Sequence, residues 1–271
     1  IVDTVELCDD LPEAVDGLSR LMVDQDRLDA ARLLLEDALT RLSGGAAAGL
    51  LGMRLGEVYQ RLGRHAEAYT FLLDAHRKDK EDPLLRAAVG LNRYHLERWR
   101  EAVDFLEPLL EQDRAALPRD DLAGALFAGG RAAQELGRSG PARAFLEAAV
   151  VADPEHEQAL TELAFMALEE EEWERGEGML KRLLQLTDED APRRDLLRML
   201  GDLRVERFSD PAGAAEYFEE LHARLGDDDA ARLELLPMIL PALQAAGRHA
   251  GAAQVAEELA EGYPALTLAG V

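Results

Sequence analysis

Serine occurs only at Ser19, Ser43, Ser139 and Ser209, and none sits in a Gly-x-Ser-x-Gly elbow, so no nucleophile of that type is offered. Gly44-Gly45-Ala46-Ala47-Ala48-Gly49 has the glycine content of a phosphate loop. Leu50-Leu51 then stands where Lys and Ser/Thr would be needed, and no strand precedes it, so the run reads as a loop opening a helix. The six histidines are dispersed. His156-Glu157 lacks a second histidine four residues on, which removes the metalloprotease helix. The carboxylate runs Glu169-Glu170-Glu171-Glu172-x-Glu174 and Asp227-Asp228-Asp229 lack the alternating ligands and central glycine of a calcium loop. They read as solvated turns or favourable charge at helix starts. No catalytic residue, metal or cofactor is expected.

Composition narrows the function further. The formal charge is −24 at pH 7, a field that repels phosphate backbones and removes nucleic acid from the partner list. The same field speeds encounter with a basic partner. Trp99 and Trp173 fit hairpin packing better than a base-stacking platform. No apolar run approaches the roughly 18 residues that span a bilayer. Cys8 is the only cysteine, so no intrachain disulfide forms, and a lone thiol leans towards a reducing, cytoplasmic compartment. Ala, Leu, Glu and Arg dominate while aromatics are 5%, a bias to helix over strand.

The elements that must position any site are visible as a repeat. Gly130, Gly137, Ala142, Leu146, Ala149 and Pro154 recur 34 residues later as Ala164, Glu171, Gly176, Leu180, Leu183 and Asp188. Ala31, Ala68, Ala102, Ala142, Gly176, Ala214 and Ala252 each open a second helix, where a small residue lets two helices cross closely. The turn Gly63-Arg64-His65-Ala66 recurs verbatim as Gly247-Arg248-His249-Ala250. Leu55-Gly56-x-x-Tyr59 followed by Gly63 and Ala68 resembles the tetratricopeptide repeat, and the same template runs along nearly the whole chain. That resemblance implies an all-α, right-handed superhelical solenoid of about seven antiparallel helix pairs, near residues 12–41, 46–78, 83–112, 119–152, 155–187, 191–224 and 228–262.

Prolines at 83, 118, 141, 154, 192 and 211 fall at or just before the predicted helix starts. Gly63, Gly137 and Gly247 fall in the turns inside hairpins. Three places depart from the pattern. Pro108 lies within a predicted second helix and should bend it. Pro237 and Pro241 predict a first helix that kinks or starts late, and Ser19 stands where the first hairpin should carry glycine. Tyr263-Pro264-Ala265-Leu266-Thr267-Leu268 offers no amphipathic cap, and the chain opens on Ile1. The array is therefore expected to be a segment of a longer protein, or to self-associate through an uncapped end.

In proteins that the chain resembles, the first helix of each hairpin lines a concave groove. Mapped here, that face carries Met53 and Glu57, then Leu91, Tyr94 and His95, then Phe127, Arg131 and Gln134, then Phe165 and Leu168. Apolar side chains on a face that meets water mark an interaction surface. The alternative is that some of them point into packing between repeats. The carboxylate clamp of some family members needs asparagine along this face, and Asn92, the only asparagine, lies off it. The expected function is a non-enzymatic scaffold that binds a peptide or helix of a partner protein, with rim carboxylates selecting basic flanks. A substrate-recruiting arm of a larger enzyme and a sensor closing on a peptide or lipid are the alternatives.

Overall fold

The computed structural model describes residues 11–42, 46–111, 117–224 and 229–262. Cys8, Gly44, Gly45, Asp227, Asp228 and Tyr263–Leu268 lie outside the described residues. Among the described residues there is no strand, and fourteen α-helices follow one another in antiparallel pairs. They are α1 Leu11–Asp24 and α2 Leu28–Arg41, α3 Ala46–Arg61 and α4 His65–Lys78, α5 Pro83–His95 and α6 Trp99–Leu106, and α7 Arg119–Glu135 and α8 Ser139–Ala152. Then come α9 Glu157–Glu169 and α10 Trp173–Leu186, α11 Asp190–Glu206 and α12 Pro211–Arg224, and α13 Asp229–Ala245 and α14 His249–Gly262. The helices divide into two compact units, Ile1–His156 and Glu157–Val271.

Each pair closes on the small residue predicted to open its second helix. Ala31, Ala68, Ala102, Ala142 and Ala214 have no exposed surface. Opposite them a second small position admits a large side chain from the facing helix. A Cβ added to Gly56 would lie 2.5 Å from Leu72, one on Gly90 2.6 Å from Leu106, and one on Gly130 2.8 Å from Leu146. Gly201 is crowded in the same way by Phe218, at 2.3 Å. These separations leave no room for a methyl, so hairpin geometry rests on glycine as much as on the apolar residues around it.

The turns inside the hairpins share one hydrogen-bond scheme. The N–H of Arg64 donates to Tyr59 O at 2.8 Å, that of Arg98 to Arg93 O at 2.9 Å, that of Arg138 to Ala133 O at 2.9 Å and that of Glu172 to Ala167 O at 2.8 Å. This six-to-one closure needs one left-handed residue just before the donor. Glycine fills it at Gly63, Gly137 and Gly247, and a residue with a side chain fills it at Asp26, Glu97, Glu171 and Ser209. In the sixth hairpin the donor Asp210 reaches back to Arg204 O at 2.9 Å, one residue further than elsewhere, so this turn holds one residue more than the others.

Two expectations need correction. Pro108 does not bend a continuous helix: α6 ends at Leu106, and Pro108 lies in the 3-10 segment Glu107–Leu110 that follows. That segment needs no α-helical hydrogen bond from the proline nitrogen. Of the two outcomes expected for Pro237 and Pro241, a kink or a late start, the late start is excluded, since α13 begins at Asp229 and runs through both. Ser19 is fully buried at the position expected for glycine, and its Oγ donates to Asp16 O at 2.8 Å, which satisfies the hydroxyl inside its own helix.

Candidate functional site

In the Ile1–His156 unit, α5 packs directly against α7, and the expected groove residues lie at their exposed and half-buried positions. Leu91 and Tyr94 are half-buried on α5. The Tyr94 ring leans on Trp99, the first residue of α6, with centroids 5.5 Å apart, and meets the His95 ring at 5.4 Å. His95 stacks on His65 of α4 at 4.5 Å and an interplanar angle of 13°. Lost hydration, and then the neighbouring His65, hold the His95 imidazole below its ordinary pKa. On α7, Phe127 is half-buried with its ring 5.1 Å from that of His156. Arg131 donates to Gln134 at 3.1 Å and lies 3.8 Å from Glu135.

Negative charge gathers beside this face. Arg54 of α3 donates from Nε to Asp16 of α1 at 2.8 Å and also bonds Glu57. The Glu57 carboxyl is held above its ordinary pKa, first by burial, and the negative charges of Asp121 on α7 and Asp16 push the same way against Arg54. Arg20 of α1 also pairs with Asp16, at 2.9 Å, so two guanidiniums stand against three carboxylates and leave a surplus of one negative charge that favours a cationic group nearby.

Two expected site residues fall elsewhere. Met53 is 8% exposed and belongs to the core with Leu51, Leu55 and Val58, so it is not an open groove side chain. Its helix is covered on several sides, which a one-face reading of the periodicity did not anticipate. Leu168 is half-buried and fills the space beside Gly176, where an added Cβ would meet it at 2.7 Å. It therefore serves the crossing of α9 with α10. Phe165, in the Glu157–Val271 unit, is 48% exposed on α9. The contributions of Trp99, Asp16 and Asp121 were not foreseen, because each comes from a neighbouring element rather than from helical spacing. Asn92, expected off the groove, is fully buried and donates to His65 O at 2.9 Å.

Among the described residues no group of three or more His, Cys, Asp or Glu side chains is placed to hold a metal ion. No described helix is long and apolar enough to cross a membrane.

No protein-family model matches the chain, and no curated protein sequence matches it significantly. Solved structures do match. The structure of Pseudomonas aeruginosa PilF superposes with a TM-score of 0.61 at 18% identity, over 84% of this chain and 97% of that one. PilW, described as a type IV pilus biogenesis factor, gives a TM-score of 0.59 at 19% identity over 82% of this chain and 96% of its own. YrrB, described as a TPR protein with an unusual peptide-binding site, gives 0.51 at 21% identity over 67% of this chain and 87% of its own. With its helices paired in sequence around small residues at each crossing, this chain has the tetratricopeptide-repeat fold.

Proposed function

We propose that the protein is a non-enzymatic interaction scaffold whose α5–α7 face takes a peptide or helix of a partner protein. The observation that carries this reading is the row of Leu91, Tyr94 and Phe127 on adjoining first helices, each left half-buried rather than sealed in the core. A ligand covering two such rings would gain most of its affinity from them. Asp16, Glu57 and Asp121 together outnumber Arg54 and Arg20 alongside, which gives preference to a ligand with lysine or arginine next to its apolar anchors. The peptide-binding site ascribed to YrrB, which shares this fold, supports the same use of the scaffold. Phe165 on α9 supplies a further exposed aromatic in the other unit.

The test is capture of interacting proteins on the purified chain, followed by titration of the captured partner against Phe127→Ala and Tyr94→Ala variants. Each is expected to weaken binding about 10- to 100-fold, the range of a lost aromatic anchor. Thermal unfolding within a few degrees of the parent separates this from misfolding. Unchanged affinity in both variants would refute the reading.

A further inference from the structure

The later first helices of the Ile1–His156 unit bury a stripe spaced i, i+3, i+4, i+7 against the hairpin before them. On α3 the last two positions are Leu55 and Val58, exposed by 0% and 1%. The stripe's second residue there is Arg54, which reaches back to Asp16 of α1. On α5 the same two positions are Val89 and Asn92, both fully buried, with Asn92 reaching back to His65 O on α4. On α1 the equivalent stripe is Ala14, Gly17, Leu18 and Leu21, and all four are exposed, Leu18 by 40% and Leu21 by 58%. The chemistry of an inter-repeat face is present there, and among the described residues nothing gives it the cover that α3 and α5 receive.

We propose that α1 docks against α1 of a second copy of this chain, antiparallel, about a two-fold axis between Gly17 and Leu18. The stripe is complementary to itself in that arrangement. Leu18 falls over Gly17 of the partner subunit and Leu21 over Ala14 of the partner subunit, so each large side chain meets a small one. The flanks complement each other as well. Arg20, which lies 2.9 Å from Asp16 of its own helix yet keeps its side chain 58% exposed, and exposed Glu13 lie on the same edge of α1. The two-fold axis brings each Arg20 to the partner's Glu13. The face continues an established interface type, since the corresponding positions of α3 and α5 already pack on helices. A contact one helix long buries less than the roughly 1,200 Å² of a standard interface. The dimer is therefore weak, with a Kd on the order of 10–100 µM. The charge of −24 on each copy opposes it, so added salt tightens it. This inference does not depend on the peptide-binding reading.

Sedimentation velocity of the intact chain from about 5 to about 500 µM tests it, and the range brackets the expected Kd. The expected result is a monomer that becomes a dimer across that range. Leu21→Glu should weaken association at least tenfold while leaving the unfolding midpoint unchanged, because the side chain is exposed in the monomer. Glu13→Arg should weaken it too, and adding Arg20→Glu should restore it. A monomer at the highest concentration overturns the proposal, as would coverage of this face by another segment of the protein. Association indifferent to Leu21→Glu overturns it equally.

Discussion

Helix α7 contains a matched pair of glycines that should respond in opposite directions to the same substitution. Gly124 and Gly130 both lie inside Arg119–Glu135, so alanine gains about 1 kcal/mol of helix propensity at either. At Gly124 the new Cβ meets nothing within 4 Å, and the whole gain should appear as stability. At Gly130 it lands 2.8 Å from Leu146 Cγ, 2.9 Å from Leu146 Cδ2 and 3.3 Å from Ala142 O. Leu146 has no exposed surface into which to retreat. Overpacking of this kind costs about 1–3 kcal/mol, leaving a net loss near 1 kcal/mol for Gly130→Ala. The two variants should therefore differ by about 2 kcal/mol, a separation of roughly 4–8 °C in unfolding midpoint for a unit of this size. Calorimetry on parent and variants would measure it, following the transition of the Ile1–His156 unit. A double-mutant cycle sharpens the attribution. Leu146→Ala alone should cost about 2–5 kcal/mol, and in its background Gly130→Ala should become stabilising because the methyl now has space. If Gly130→Ala raises the midpoint as much as Gly124→Ala does, the close crossing of α7 with α8 is not what Gly130 is for.

The left-handed turn positions make a second test: Glu171→Gly should gain a few tenths to about 1 kcal/mol by relieving positive φ, while Gly137→Ala should lose about 1 kcal/mol. Thermal midpoints read both, and a destabilising Glu171→Gly would count against the shared turn geometry. Acid titration makes a third. The His95 pKa is lowered in the folded state, so the unfolded chain takes up a proton more readily. Its contribution is complete above the ordinary value near pH 6.5 and is lost as pH falls through it. His76, also lowered mainly by lost hydration, acts in the same direction. His95→Gln should flatten the decline in midpoint between about pH 7.5 and 5.5, and an unchanged slope would show that the stacked pair with His65 is not responsible.

How much of this was legible beforehand differs between the scaffold and its face. The period of the repeat, the small residues at helix crossings and the turn glycines could be read from sequence because each answers a local demand: a backbone dihedral, a missing N–H or a short crossing distance. Local signals could not say that Pro108 would fall after a helix end, since an alternative 3-10 turn removes the clash that the proline would otherwise cause. Nor could they separate Met53, sealed in the core, from Tyr94, half-open beside Trp99. Both are large apolar residues on a first helix. Burial depends on what the neighbouring hairpins place alongside, a relation between residues far apart in the chain. Leu18 and Leu55 show the same division: the repeat assigns both to one face, and only the tertiary structure leaves Leu18 exposed while Leu55 is closed. The sequence by itself determined the repeated hairpin. Which repeats of that hairpin bury a given face, and which leave it free for a partner, was decided by their stacking.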